Sequence, residues 1–476
     1  MKDAEKQKLY QALLSRDPRN DGRFYFGVTT TGIYCRPICS AKPKFQNVQF
    51  YKSKAEAEAA GYRPCLKCRP DLSPLSPQWH GTAAIMSRAL RLVENSGAEG
   101  RGLAQTAAAL GISDRHLRRL FNRHVGATPL AVAISRRLHF ARQLLTQTHL
   151  SMLEIALATG FGSLRRFNDA FRKTYQTSPG NFRREAKPDI KPGDLLTIEL
   201  PYCAPFDWDH LITFFRNHEI YGVETVTQTS YTRHFRTAHG ISFFQVTQAD
   251  RPAHLRVMLQ LAGLADLRPT IEKIRMQFDL AHNPHCMENA ALLEEIKQVR
   301  IPGAFDPFEV AITIILGQMV TTEQGKQNVR KLVLKFGEMV PVPVFPGLTH
   351  FFPTPETLKN ADYTDLGFTG NRCNAIRELA RMVADSEIDL SGSCDLADTR
   401  KKLLGIKGIG PWTVEMIALR CLRDPDAFPA NDLIVARALK SAALEHQYFA
   451  PWRAYLALTI WKTQAHVLTK KPRKSL

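Results

Sequence analysis

At 476 residues the chain is longer than one ordinary hydrophobic core organises, and at roughly 100 to 200 residues per domain it is expected to hold three or four domains. The formal charge of +19 is unevenly spread: residues 1–190 carry 31 Lys and Arg against 14 Asp and Glu, and the remainder 33 against 31, so the N-terminal part is the expected polyanion grip. No run of about 18 apolar residues exists and no apolar signal core opens the chain; the expectation is a soluble cytoplasmic protein without a membrane partner, its nine cysteines reduced.

Pro-rich breaks at Ser73–Gln78 and Lys187–Gly193 separate a cysteine-containing first segment, a helical middle and a long remainder. In the first segment Cys35 and Cys39 are followed, after 25 intervening residues, by Cys65 and Cys68. Once the chain folds back, this C-x3-C and C-x2-C spacing lets four thiolates share one tetrahedral ion, and that ligand set suits zinc. Most such sites only staple a small domain. The flanking strings GRFYFGVTTTGIYCRPIC and AGYRPCLKCRPD nevertheless resemble the N-terminal domain of the Ada adaptive-response family over nearly its whole length. The resemblance implies repair of methyl phosphotriesters, with Cys35 as methyl acceptor and Cys39, Cys65 and Cys68 as the other zinc ligands. Zinc keeps sulfur as a thiolate at neutral pH, and a thiolate displaces phosphate directly from a methyl carbon. Transfer changes the formal charge of the centre from −2 to −1, which is expected to strengthen DNA binding by the basic segment around it.

The middle contains a repeat at an offset of 50, with Ala107, Gly111, Ser113, Arg115 and Phe121 echoed by Leu157, Phe161, Ser163, Arg165 and Phe171. Each copy reads as a helix pair. Leu103, Ala107 and Leu110 make one apolar face, Gly111 permits the turn, and Ser113 caps a second helix that turns Leu117, Leu120 and Phe121 inward. That leaves Arg115, Arg118 and Arg119 outside, and in the second copy Arg165, Arg166 and Asn168, residue types that read guanine and adenine edges in the major groove. Two such copies resemble the AraC-type DNA-binding domain, which implies promoter DNA and RNA polymerase as partners.

From about Leu195 to Leu261, short runs such as SYTRHF, ISFFQV and LRVMLQL alternate with a period of two and predict antiparallel strands; after about Phe305 the spacing becomes helical. An Ada protein would continue into a methyltransferase with a reactive P-C-H-R cysteine. Here Pro284-His285-Cys286-Met287 has the wrong order, and Cys203, Cys373, Cys394 and Cys421 lack the flanks, so no O6-methylguanine transfer is expected.

Instead FDWDHL, GVETV, FDPFEVAITIILGQMV, GIGPWTVEMIALR, DAFPANDLIVARAL and PWRAYLALTIWK resemble, in this order, the AlkA-type 3-methyladenine DNA glycosylases of the helix-hairpin-helix superfamily. The hairpin Leu404–Gly410 places Gly408 and Gly410 where a backbone approaches a phosphate closely, and a helix starting near Pro411 offers its N–H groups to it; a monovalent cation is expected at the same hairpin. By resemblance Asp432, 22 residues past Gly410, is the catalytic aspartate. At the start of a predicted helix it is also a natural N-cap. A base methylated at N3 of adenine or N7 of guanine already carries positive charge, so one carboxylate suffices where ordinary glycoside hydrolysis uses two. The resemblance further implies Gln318 and Met319 as the wedge that fills the gap left by a flipped base, and Trp412, Trp461, Met416 and Phe214 as its pocket.

Tryptophan at 412, where strand-cleaving relatives carry a Schiff-base lysine, implies a monofunctional glycosylase. Met416 replaces a pocket tyrosine and Asn431 replaces an aspartate, which implies a shifted lesion range. The expected architecture is multidomain α+β. A small zinc-binding α/β domain (1–74) precedes an all-α AraC-type double helix-turn-helix domain (79–187); an antiparallel β-sheet domain with helices (194–300) precedes an all-α helix-hairpin-helix domain (301–470). The chain is expected to act as a monomer on double-stranded DNA carrying alkylated bases or methylated phosphates, with one zinc and no organic cofactor. The competing expectation is a transcription regulator whose glycosylase-like half is inert.

Overall fold

A computed structural model describes residues 3–70, 101–186, 195–287, 294–392 and 395–463, apart from 342, 344, 443 and 444, together with isolated positions between 86 and 93. The two predicted linkers lie outside the described residues. The chain forms two compact units, one of Met1–Cys203, Gly263–Thr270 and Ala281–Cys286, the other of Ala204–Ala262, Ile271–Leu280 and Met287–Leu476. Among the described residues no helix is long and apolar enough to cross a membrane.

In the first unit, the strands Val48–Tyr51, Tyr25–Val28, Ile33–Cys35 and Arg63–Pro64 form a sheet in that spatial order. The hairpin register sets Phe26 opposite Cys35, and the last strand runs parallel to Ile33–Cys35. The repeat at an offset of 50 becomes the helices Asp114–Val125 and Leu164–Tyr175, capped by the hydroxyls of Ser113 and Ser163. Between them runs the long helix Pro129–Gln147, which starts on a Thr128 cap and a first-turn proline. Leu117, Phe121, Phe167 and Phe171 are fully buried, as an inward stripe at helical spacing requires.

The cysteine-bearing sheet and the helix pairs share a core. Ala55, on the short helix Lys54–Ala59, is buried with Leu117, Phe121 and Val125. Gly126 closes the helix Asp114–Val125 in the left-handed region at φ 74, and a Cβ there would meet the Glu56 carboxyl at 2.2 Å. Beneath this contact lies a buried polar cluster. Tyr34 donates to Glu58 at 2.7 Å, His139 Nε2 lies 3.0 Å from the same oxygen, and the Tyr175 hydroxyl lies 3.2 Å from His139 Nδ1. Burial by itself would raise the Glu58 carboxyl; the adjacent His139 and hydrogen bonds from His139, Tyr34 and Ser135 bring it below the usual glutamate value. Replacing Glu58 with Ala leaves Tyr34 and His139 facing a void, and breaking a buried pair of this kind costs about 3–5 kcal/mol. Glu58→Ala is therefore expected to melt well below the parent in calorimetry, whereas an unchanged Tm would show the cluster to be energetically idle.

The second unit begins with the helix Trp208–Asn217 and an antiparallel meander of Glu224–Val226, Ser230–Thr237, Gly240–Gln248 and His254–Gln260. Period-two alternation predicts one wet face for the second of these strands, but Ser230 to Phe235 are all buried. Tyr231 packs on Phe215 and Phe278, while on the opposite face His234 packs on Phe351 and reaches the His350 carbonyl at 2.8 Å. His234 is thus covered and satisfied by chain from far downstream, Ser230 and Thr232 are satisfied by Thr227 and Gln245, and Arg233 is neutralised by Glu309 and Glu224.

The remainder is helical around one large core. Its principal helices are Pro307–Leu316, Thr322–Phe336, Gly370–Ala384, Leu396–Leu404, Pro411–Arg420, Leu433–Ala442 and Arg453–Thr463.

Candidate functional site

The four cysteines converge. Cys35 ends a strand, and Cys39 follows a turn closed by its N–H on the Arg36 carbonyl at 3.0 Å. Cys65 donates its N–H to the Tyr34 carbonyl at 3.0 Å, which ties the second pair to the first. All four Sγ atoms lie within 4.8 Å of one another. Sulfurs bound at about 2.3 Å around one zinc lie about 3.8 Å apart, so this donor set fits the ion with little rearrangement. As bare thiols they perturb one another strongly. Hydrogen bonding with Cys35 lowers Cys39 to about 6 and drives Cys65 lower still, whereas hydrogen bonding with Cys39 pushes Cys35 upward. Four thiolates within 4.8 Å of one another repel, and a dication bound between them offsets that charge. Cys35 and Cys39 are each 3% exposed, and Cys65 and Cys68 are half-buried. Arg36, next to Cys35 in the chain, pairs with Asp21 and donates its backbone N–H to Cys68 Sγ at 3.4 Å.

On the helix pairs Arg115, Arg118, Arg119, Arg165 and Arg166 are exposed and Asn168 is half-exposed. Arg118 makes an i,i+4 pair with Asp114 at 3.0 Å, a solvent-screened contact that a phosphate or base edge readily replaces.

A second constellation surrounds Asp432. One carboxylate oxygen, Oδ1, accepts from the N–H groups of Ile434 and Val435, which makes the residue the N-cap of the helix Leu433–Ala442. The same oxygen accepts the Trp461 indole N–H at 3.0 Å, and Oδ2 accepts that of Trp412 at 3.1 Å. Met416 is buried one turn beyond Trp412 on the same helix. Phe214 is turned to other neighbours: its ring stacks on His218 at 4.2 Å and lies 5.0 Å from the Arg420 guanidinium. Asn431 is exposed.

The two residues read together as a wedge separate. Met319 is fully exposed, with its backbone in the left-handed region at φ 56, a strained conformation for this side chain. Gln318 folds back, its amide donating to the Gly408 carbonyl at 3.2 Å and the Thr413 hydroxyl at 2.7 Å, while Arg372 holds its carbonyl at 2.7 Å. It braces the hairpin. Gly408, at φ 100, packs so tightly that a Cβ would lie 2.3 Å from the Asn371 carbonyl; Gly410 faces open space. No side chain caps Gly410, so the first-turn N–H groups of the helix Pro411–Arg420 stay available to a phosphate. The carbonyls of Ile406, Lys407 and Gly408, the groups a cation at the hairpin would use, accept from Ile409, Asn374 and Gln318.

Four family models match in order: metal binding domain of Ada at residues 8–71, helix-turn-helix domain at 106–185, AlkA N-terminal domain at 197–306, and HhH-GPD superfamily base excision DNA repair protein at 312–448. A probable bifunctional transcriptional activator/DNA repair enzyme AlkA of Mycobacterium tuberculosis is 35% identical over 489 residues, covering 98% of each chain. The chain belongs to this bifunctional Ada/AlkA family. Each half also has a separate relative. The DNA-3-methyladenine glycosylase 2 of Escherichia coli is 28% identical over 56% of this chain and 96% of its own. The bifunctional transcriptional activator/DNA repair enzyme Ada of the same organism is 42% identical over 26% of this chain and 33% of its own.

Membership in the Ada/AlkA family assigns one zinc site to the four cysteines. Sequence reasoning missed that both tryptophans hold Asp432 by their indole nitrogens, and that Gln318 faces inward. No local signal marked this grip: five acidic residues lie between Trp412 and Trp461, and their spacing does not single out Asp432.

Proposed function

We propose that this chain repairs alkylated DNA by two reactions, one at each constellation, and that it also acts as a transcription activator of the response to such damage. At the first, Cys35 sulfur attacks the methyl carbon of a methyl phosphotriester: an S–C bond forms, the C–O bond breaks, and an ordinary phosphodiester anion leaves. Zinc, bound by Cys35, Cys39, Cys65 and Cys68, supplies thiolate character at neutral pH. The product thioether is permanent, so each molecule reacts once. The basic helix faces carrying Arg115, Arg118, Arg119, Arg165, Arg166 and Asn168 hold the DNA and read the promoter, with RNA polymerase as partner.

At the second, Met319 enters the stack in place of a flipped base, and the cationic base lies against the indole rings of Trp412 and Trp461. The glycosidic bond breaks with its electron pair going to the base, which leaves neutral. Asp432 stabilises the positive charge developing on the deoxyribose and directs water to the same carbon, leaving an abasic site and an intact strand. The observation that carries this reading is the Asp432 carboxylate gripped on one oxygen by Trp412 and on the other by Trp461. The protein is proposed to act in the cytoplasm as a monomer.

Incubation with methylated duplex DNA tests both reactions at once. Free 3-methyladenine and 7-methylguanine with unbroken strands are expected, together with a Cys35 peptide heavier by one methylene unit. Strand nicking at the abasic sites, or methyl found only on other cysteines, would refute the respective half.

A further inference from the structure

Asp432 sits at the end of a loop that joins the helices Pro411–Arg420 and Leu433–Ala442, and the way that loop is tied down is specific. Its first part is fixed repeatedly. Asp424 donates its N–H to the Ala418 carbonyl and accepts Arg400 at 2.7 Å, Asp426 takes both arms of Arg453 at 2.7 and 2.8 Å, and Pro425 accepts the Ala454 N–H at 2.9 Å. The last tie before Asp432 is the Phe428 N–H on Glu415 Oε2 at 2.9 Å. Beyond it the backbone makes only local bonds, Ala430 to Phe428 and Asp432 to Pro429. Arg400, on the first hairpin helix, clasps both Glu415 oxygens at 2.9 and 3.3 Å and so links Glu415 to Asp424.

Glu415 and Trp412 are three residues apart on one helix and share a face. That helix therefore grips the loop at two points, the Phe428 N–H and the Asp432 carboxylate. Between the two grips Phe428 is buried with its ring stacked on His446 and Pro429 is buried, but Ala430 and Asn431 are exposed. A cavity of about 530 Å³ is lined by Phe428, Pro429, Ala430 and Asn431 together with Trp412 and Glu415. Where side chains fill space, a displaced loop meets them; Ala430 and Asn431 meet none on the cavity side, so the place of Asp432 depends on how firmly the loop is held at Phe428, by its buried ring and by its N–H on Glu415.

We propose that Glu415, aligned by Arg400, is a positioning residue for base release, setting the place of Asp432 through the Phe428 N–H; this rests on the reading of Asp432 given above. A displacement near 1 Å of a reacting group costs about 10²-fold in rate. Glu415→Ala is thus expected to lower kcat for methylated-base release about 10²-fold, with KM and the affinity for abasic-site DNA within about twofold of the parent. Glu415→Gln keeps an oxygen for Phe428 and is expected to recover about tenfold of that loss. An unchanged kcat, a loss carried by KM, or a Gln variant as slow as the Ala variant each overturns the proposal. If Glu415→Ala shows no melting transition, Arg400→Gln replaces it: Phe428 stays bound, the link to Asp424 is cut, and kcat is expected to fall about tenfold at constant KM. Full kcat in that variant is equally fatal. Asp432→Asn, assayed alongside, separates the two readings. An active Asp432→Asn removes the mechanism itself, whereas an inactive one beside a fully active Glu415→Ala removes only the positioning role.

Discussion

Asp432→Asn is expected to release methylated bases about 10²–10³-fold more slowly than the parent while binding the same DNA with the same affinity, as befits loss of one preorganised electrostatic contact to a transition state. The substitution keeps the size of the side chain. It removes the negative charge and leaves one acceptor oxygen for four donors, the indole N–H groups of Trp412 and Trp461 and the backbone N–H groups of Ile434 and Val435. The remaining oxygen keeps the helix cap, so the fold persists, and the amide nitrogen turns a donor toward an indole donor. Single-turnover release from methylated DNA, with Kd measured on the same duplex, checks it. Release at the parent rate would mean that this carboxylate is only a helix cap and that excision, if it occurs, uses another group.

Zinc removal should act on the other constellation. Structural zinc contributes about 10–16 kcal/mol of apparent folding free energy, and the four thiols have no other means of carrying their charge together. Chelation, or Cys68→Ser, is expected to unfold the sheet that carries Cys35. The loss spreads, because Ala55 of that module is buried with Leu117 and Phe121 of the first helix pair. Promoter binding and methyl uptake should both fall to background, while base release from methylated DNA continues at the parent rate. Metal content, circular dichroism and the two activities measured on one sample decide it. A metal-free protein that keeps its protease resistance and its promoter affinity would reduce the centre to decoration.

How much of this was legible in the sequence differs from residue to residue. The cysteine quartet was legible because a metal site needs a few donors at short spacings, and C-x3-C with C-x2-C announces itself. The helix pairs were legible because a repeat at an offset of 50 doubles a weak signal, and the caps Ser113 and Ser163 stand where a backbone needs them. Gln318 shows the opposite case. Next to Met319 it reads as half of a wedge, but its amide faces inward because Gly408 and Thr413, some ninety positions away, supply the acceptors. The strand Ser230–Thr237 misleads for a related reason: alternation predicts solvent on one face, and the segment that covers that face, around His350 and Phe351, lies more than a hundred residues later.

The sequence by itself determined the order of modules, the metal donors, the exposed basic helix faces and the place of Asp432 at a helix start after the hairpin, all of which depend on local spacing or on motifs that travel as units. Only the tertiary structure decided which donors converge on Asp432, that Phe214 packs on His218 and Arg420, that Glu58 meets His139, and that Glu415 holds the loop before Asp432. Partnerships between polar groups distant in the chain leave no periodic trace. They are selected by the requirement that each buried donor or acceptor find a partner, and that requirement can be met only once every element is in place.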